Sequence, residues 1–552
     1  MHLMFKSVWY ILFAVTVASF FITSCQNDGL LSIKIDIASQ NNSFNPLIDP
    51  SLSYLNLTIH NNSEVNEYTA TFRKNEKINL GDVPVGDFDR ITISGHNVSG
   101  TIIGYGDMNF SGKISAETET NVTIPFRYPL VYLSGARLMH MFHPYLASDL
   151  GAFTPIAVAN SGEISTAVAT SPDGITVMGA SFNETEMTSS IWISFTVNNV
   201  KKLEVSLDNT SPITSITFSP DGSSAALVST EDNSVKFINV SDFIASSNRE
   251  STIYDFPVDS PVQVSYLGNN RAAILKSTKF QHLSCDEELS SSLQFIDISS
   301  DFNSESGISD AGATDIPGYA SSIASNPEDG ALFISHPCDS SITQVTPGTQ
   351  FISPMLSASN ISPCLRPVNL AVAGNILYTT CYTQADTVSL TWSPAKLVIQ
   401  RFDLSTENFT SKKLVVDYPK EAFVAPTTEI HQASSLEILQ APEMVLPKDI
   451  SITVKSGRIV LLAEAYFYIR EIKISTITGI YEFRRKSQSL IFIDGENESI
   501  TNRFRAACYS TSSEEDQTIP ELDGSYCLDM VNVFKPNVEF IPSTVTSLYG
   551  FK

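Results

Sequence analysis

Apolar and polar residues alternate with a period of two over most of this chain, which predicts short half-buried strands. Leu31-Ser32-Ile33-Lys34-Ile35-Asp36-Ile37 and Tyr54-Leu55-Asn56-Leu57-Thr58-Ile59 show it clearly. Gly81-Asp82-Val83-Pro84-Val85-Gly86-Asp87-Phe88 reads as a turn-rich segment leading into the strand Ile91-Thr92-Ile93-Ser94. Strands with turn signals about every ten residues, and no useful helical period, predict a β-sandwich over residues 31–128.

From residue 129 a repeat takes over. Ser171-Pro172-Asp173-Gly174 recurs 48 residues later as Ser219-Pro220-Asp221-Gly222, and in degenerate form as Asn326-Pro327-Glu328-Asp329-Gly330. Pro presets one turn dihedral, Asp caps the turn, and Gly supplies a positive φ, so these are hairpin turns with a mechanism. Weaker turns at Leu267-Gly268-Asn269-Asn270, Ala373-Gly374-Asn375 and Lys455-Ser456-Gly457 bring the anchors to six. A further strand follows several anchors: Val235–Val240, Leu293–Ile298, Val398–Asp403 and Leu490–Asp494. A period of 45–60 residues with about four strands each predicts a β-propeller over 129–552. The segment "FSPDGSSAALVSTEDNSVKFINV" resembles the repeat of YVTN-type and WD40-like propellers. "LGDVPVGDFDRITISG" is similar to the strand start of transthyretin-like and carboxypeptidase-regulatory-like sandwiches.

The expected architecture is therefore all-β: an N-terminal sandwich, Ig-like or transthyretin-like, and then a propeller of seven blades, with six or eight as alternatives. Residues 129–160 and a C-terminal strand, near Val538–Ile541 or Val545–Tyr549, would share one blade and close the ring. The 373–456 interval is too long for one blade, which predicts an insertion at about 406–446.

The N-terminus changes the picture of location. Lys6 precedes the apolar run Val8–Ile22, which is too short for a membrane span and reads as an export signal over residues 1–24. It ends Ile22-Thr23-Ser24-Cys25, which resembles a bacterial lipobox. That resemblance implies cleavage before Cys25, acylation of its thiol, a tether over 25–30, and a lipid-anchored protein of the outer membrane facing the periplasm or the cell surface. An ordinary secretory signal with an incidental Cys25 is the alternative.

The seven cysteines then parse as one for lipid and six for disulfides in an oxidising compartment. Metal ligation is disfavoured by the lack of any CxxC spacing. Cys508 and Cys527 bracket an acidic loop and form the most local pair. In a propeller, Cys285, Cys338 and Cys381 would follow second strands and Cys364 would lie between blades. All four would then share one face, with 285–338 and 364–381 as pairs.

The charge balance excludes a general nucleic-acid binder, since 59 acidic residues face 34 basic ones for a net −25. Basic residues cluster once, at Arg470, Lys473, Arg484, Arg485 and Lys486 beside Tyr466-Phe467-Tyr468-Ile469. The cluster is either a patch for an anionic glycan, lipid headgroup or acidic partner, or the solvated faces of a long hairpin. His140 and His143 are spaced for a helical metal pair but fit a loop better; His282, His336 and His431 fall in expected loops. Catalytic and cofactor motifs of the hydrolase, nucleotide and EF-hand kinds are missing. No cofactor is expected, calcium being the divalent metal that scattered turn acids would hold. Sequons such as those at Asn56, Asn97, Asn121 and Asn239 follow from the high Asn, Ser and Thr content.

These features favour a non-catalytic binding or scaffold protein with a membrane anchor and a protein or glycan partner. A propeller hydrolase of the lactonase or glycan-acting kind, with its site in the central channel, is one alternative; an envelope-assembly factor is the other.

Overall fold

The computed structural model describes strands and joining turns within residues 28–547; the longest stretches outside it are 1–27, 38–52, 143–155, 425–436 and 512–544. The chain is nearly all β and divides into two compact units, Met1–Tyr128 and Pro129–Lys552.

The first unit holds seven strands: β1 (Asp28–Ile37), β2 (Tyr54–Asn61), β3 (Glu64–Thr71), β4 (Ile78–Pro84), β5 (Gly86–His96), β6 (Ile102–Ile114) and β7 (Thr120–Arg127). They hydrogen-bond in the order β3-β2-β5-β6-β7-β1-β4. The β6–β7 link is narrow, with only Tyr105↔Arg127 and Gly106↔Phe126 in register, whereas β1 and β7 run parallel over seven pairs. The alternating residues Leu55, Leu57, Ile59, Ile91 and Ile93 are buried, as their period of two dictates. The segment 81–88 is not a long turn. It is the end of β4 and the start of β5, hinged at exposed Val85. Pro84 is tolerated because β4 is an edge strand and needs no further amide donor there.

The second unit is propeller-like: antiparallel sheets follow one another along the chain. The first sheet comprises Val131–Gly135, Leu138–Phe142 and Ile156–Ala157, with Val545–Ser547 hydrogen-bonded to Val131–Leu133. The second is Glu163–Thr170, Thr176–Asn183, Thr188–Phe195 and Lys201–Asp208. The third is Ser215–Phe218, Ser224–Ser229, Ser234–Asn239 and Ile253–Pro257. The fourth is Pro261–Gly268, Arg271–Ser277, Ser291–Ile298 and Ile308–Ile316. The fifth is Ser322–Ser325, Leu332–His336, Ser341–Val345 and Ile352–Leu356. The sixth is Pro367–Ala373, Ile376–Cys381, Lys396–Asp403 and Ser411–Asp417. The seventh is Met444–Thr453, Arg458–Lys473, Gly479–Asp494 and Ser499–Thr511, with Thr383–Gln384 added beside Met444–Val445.

Ser411–Asp417 falls inside the interval expected as an insertion, yet it is the outer strand of the sixth sheet. A separate hairpin, Glu421–Val424 paired with Glu437–Gln440, follows it.

The first strands of successive sheets touch, and Val545–Ser547 touches those of the second and seventh sheets. Polar rungs tie them together. Thr217 Oγ1 donates to Val264 O (3.1 Å), Ser325 Oγ to Tyr266 O (2.6 Å), Ser321 Oγ to Val368 O (2.7 Å) and Asn369 Nδ2 to Pro447 O (3.2 Å). The core is a series of interfaces between neighbouring sheets. Ala226, Phe237 and Ile274 pack between the third and fourth; Leu397, Ile459 and Ile491 pack between the sixth and seventh. Val131 and Leu133 of the first sheet pack on Val460, Leu462, Leu490 and Phe492 of the seventh.

The anchoring turns at 219–222, 267–270 and 373–375 join first to second strands, while Asp173, Gly174, Pro327, Glu328 and 455–457 lie outside the described residues. Ser171 Oγ donates to Thr176 O (3.1 Å) and accepts from Thr176 N (2.9 Å), and Ser219 Oγ likewise accepts from Ser224 N (3.0 Å). Gly222 sits at φ +73°, the left-handed region that the motif requires.

Gly179 has a different role. It lies opposite Trp192 in register, and a Cβ there would run into the fully buried indole at Cζ2. Gly179→Ala is therefore expected to destabilise by about 1–3 kcal/mol through overpacking. Chemical denaturation with tryptophan fluorescence checks it; an unchanged midpoint would mean the indole moves aside without cost.

Candidate functional site

Strand order fixes which connections share a side of the second unit. In four antiparallel strands, the turn joining second to third strand and the link to the next sheet emerge at one end. The other two turns emerge at the opposite end. Both disulfides of the described residues lie on the former side. Cys285, in the connection between second and third strands of the fourth sheet, bonds Cys338, in the equivalent turn of the fifth. Cys364, in the link between fifth and sixth sheets, bonds Cys381, at the end of the sixth sheet's second strand. The Cα–Cα separation is 5.4 Å in each. Cys364 and Cys381 are buried.

The same side carries a repeated turn that the sequence reading missed. Met187, Asn233 and Ser340 take φ of 51°, 52° and 51°, and each is preceded by an acid: Glu186, Asp232 and Asp339. Asp232 accepts from Ser211 N (3.0 Å) and Ser229 Oγ (2.8 Å), fastening its turn to the link from the preceding sheet. Asp339 reaches the equivalent link two interfaces on, where an added Cβ at Gly318 would meet its Oδ2. The available signal was spacing: Asp232 follows Ser219, and Asp339 follows Asn326, by thirteen residues.

Burial pushes the Asp232 carboxyl up, but hydrogen bonds from Ser211 and Ser229, aided by Lys236, outweigh it and hold it below the ordinary carboxylate value. A depressed folded-state pKa contributes stability that is present above the unfolded value and lost as pH falls through the folded one. Asp232→Asn is expected to cost about 1–2 kcal/mol at neutral pH, and that difference shrinks in acid. Urea titrations of both proteins across the acidic range check this; a pH-independent difference would contradict it.

Near the first disulfide, His336 ends a strand and is buried, with Nε2 2.9 Å from Thr343 Oγ1. It is not the solvated loop histidine that the sequence predicted, because it completes the second strand of its sheet. Burial pushes its pKa below the ordinary value, with Asp339 opposing. The Ser277 and Ser291 hydroxyls lie 3.0 Å apart, and Ser291 Oγ accepts from Ala320 N (2.9 Å). Near the second disulfide, the Arg366 guanidinium stacks on Tyr382 at 5.4 Å, and the Tyr382 hydroxyl contacts Met444 Sδ (2.7 Å) and Gln384 Nε2 (2.6 Å).

Other expected residues scatter. Cys25, Cys527, His143, His282, His431 and Asn97 lie outside the described residues. Cys508 lies on the strand Ser499–Thr511, and His140 lies on Leu138–Phe142 rather than in a loop. Asn56 has both amide atoms engaged, with His96 (3.2 Å) and Thr69 (3.0 Å), and Asn239 caps the short helix Val240–Ala245. Asn121 lies on β7. Among the described residues no group of three or more His, Cys, Asp or Glu is placed to hold a metal ion, and no helix is long and apolar enough to cross a membrane. The basic cluster falls on the longest hairpin. Arg470 pairs with Glu482, Lys473 with Gly479, and Arg484, Arg485 and Lys486 with Tyr468, Phe467 and Tyr466.

The described chain is thus an all-β protein whose larger unit is propeller-like. No family model and no curated protein matches it. Among solved structures it is similar to a quinonprotein alcohol dehydrogenase-like protein from Bacteroides thetaiotaomicron, with a TM-score of 0.38, 7% identity, and coverage of 87% of this chain and 95% of that one. It is also similar to apo AztD from Citrobacter koseri, with a TM-score of 0.36, 10% identity, and coverage of 68% and 94%. A third is the β-propeller domain of Cps50 (Swd1) from Myceliophteria thermophila, with a TM-score of 0.36, 9% identity, and coverage of 63% and 87%.

Proposed function

We propose that this chain is a non-catalytic binding module: a bacterial lipoprotein held at the outer membrane through acylated Cys25, facing the periplasm or the cell surface. In this reading the first unit is a sandwich, folded at the narrow β6–β7 link, and the second is a seven-bladed propeller closed by Val545–Ser547. The propeller engages a protein or glycan partner through the disulfide-bearing side. One observation carries the reading: both disulfides fasten connections on the same side of three consecutive sheets. Tying loops to a rigid scaffold lowers the entropy lost when they bind, which is useful to a recognition surface. The hydrogen bond from Ser211 N to Asp232 serves the same end.

Two measurements test the proposal. Labelling with an alkynyl fatty acid should mark the wild type and not Cys25→Ala. Extraction of the full chain from its membrane in mild detergent should yield a complex that Cys285→Ser/Cys338→Ser forms less well. Elution of the wild type alone would count against a binding role, and an unlabelled Cys25 would remove the anchor.

A further inference from the structure

The second and third strands of the seventh sheet, 16 residues each, are the longest among the described residues. Arg458–Lys473 and Gly479–Asp494 pair in register along their whole length, so the hairpin rises on the side that carries both disulfides. The first strand of that sheet pairs only as far as Met444↔Tyr466, and the fourth only as far as Thr511↔Arg484. Among the described residues, only the two hairpin strands extend past those points.

Register sorts the residues at those points. Tyr466, Lys486 and Tyr509 occupy one row across three strands, and Tyr468, Arg484 and Thr511 occupy the next row of the same parity. Neighbouring strands are about 4.8 Å apart, and same-parity rows roughly 6.7 Å apart. By register the grid interleaves three tyrosines with two cations; the next row of the same parity pairs Arg470 with Glu482, and the row before it pairs Glu464 with Gln488. The two grid rows hold two cations and no acid, on a chain of net −25.

We propose that this grid binds an acidic polysaccharide. The proposal deepens the binding reading of this side and rests on it. Tyrosine offers an amphipathic ring that covers the C–H face of a sugar at low conformational cost. Arginine matches a carboxylate bidentately, and lysine adds a point charge. A duplex or single-stranded nucleic acid is disfavoured by the charge of the rest of the chain. Insertion into a bilayer is disfavoured because Arg470, Glu471, Lys473 and Glu482 punctuate the hairpin, and each ionised group is costly in hydrocarbon.

The test uses the full chain in detergent, with polygalacturonate, its methyl ester, and phosphatidylcholine–phosphatidylglycerol vesicles as probes. Polygalacturonate should bind with salt-sensitive affinity, and the neutral ester about tenfold or more weakly. Arg484→Glu/Lys486→Glu should abolish binding; Tyr468→Ala should weaken it about tenfold, while Tyr468→Phe retains it. Phenylglyoxal modification of wild-type Arg484, read by mass spectrometry, should be slowed by polygalacturonate, which needs no folded variant. Equal binding of the ester, binding of vesicles but not polygalacturonate, or unprotected Arg484 would overturn the proposal. Disulfide-dependent retention of a membrane partner is read separately, so failure here and failure of the binding reading are distinguishable.

Discussion

Phe492→Ala is expected to destabilise the second unit by about 3–5 kcal/mol, the range for emptying a buried aromatic site. Phe492 is fully buried on the seventh sheet against Val131 and Leu133 of the first. It therefore acts where residues more than three hundred positions apart meet, and its loss should weaken both ends of the unit together. Hydrogen exchange makes the distinction. In Phe492→Ala, amides of 131–133 and 460–462 should lose protection together. In Phe237→Ala, an equally buried change between the third and fourth sheets, the loss should centre on 226–228 and 272–274. Unchanged protection at 131–133 in Phe492→Ala would mean that the first and seventh sheets do not support one another.

The second large effect belongs to the Cys285–Cys338 disulfide. It spans 53 residues and joins two sheets, so in the chain-entropy description its loss costs on the order of 4 kcal/mol. Cys364–Cys381 spans 17 residues, and its loss is expected to cost about 3 kcal/mol. Guanidinium unfolding of Cys285→Ser/Cys338→Ser and Cys364→Ser/Cys381→Ser, each against oxidised wild type, gives the two values. A longer-loop pair contributing less than the shorter one would show that the unfolded chain retains structure across 285–338.

The sequence announced those parts of the fold that depend on local turn chemistry. Ser219-Pro220-Asp221-Gly222 declares its hairpin because its Asp and Gly do their work within a few residues: Asp221 accepts from Ser219 Oγ (2.7 Å) and Ser223 N (3.0 Å). The turns at Asn269–Asn270 and Gly374–Asn375 were legible for the same reason, and each joins the first two strands of a sheet. Cysteine positions relative to strands put Cys285, Cys338, Cys364 and Cys381 on one side but left their pairing open; the bonds formed are 285–338 and 364–381.

What was not legible depends on distant partners. Ser411–Asp417 reads as part of an insertion until Lys396–Asp403 is seen to pair with it. His336 looks like a loop histidine because Pro337 follows it, and only its neighbours across the sheet bury it. The acids Asp232 and Asp339 look like ordinary turn residues, since the Ser211 and Gly318 links that they approach lie 21 residues upstream in each case. The basic cluster was visible as composition, but its two-row grid with Tyr509 required the register of a third strand.

The central claim is that the disulfide-bearing side of the second unit is the side that recognises a partner. Site-specific photo-crosslinking in intact cells tests it most directly. The crosslinking residue would be placed at Met187 or Glu231, exposed on the turns of that side, and at Ser223 or Asn270, exposed on the opposite side. Discrete crosslinked products are expected from Met187 and Glu231 and none from Ser223 and Asn270. Products confined to Ser223 and Asn270 would contradict it.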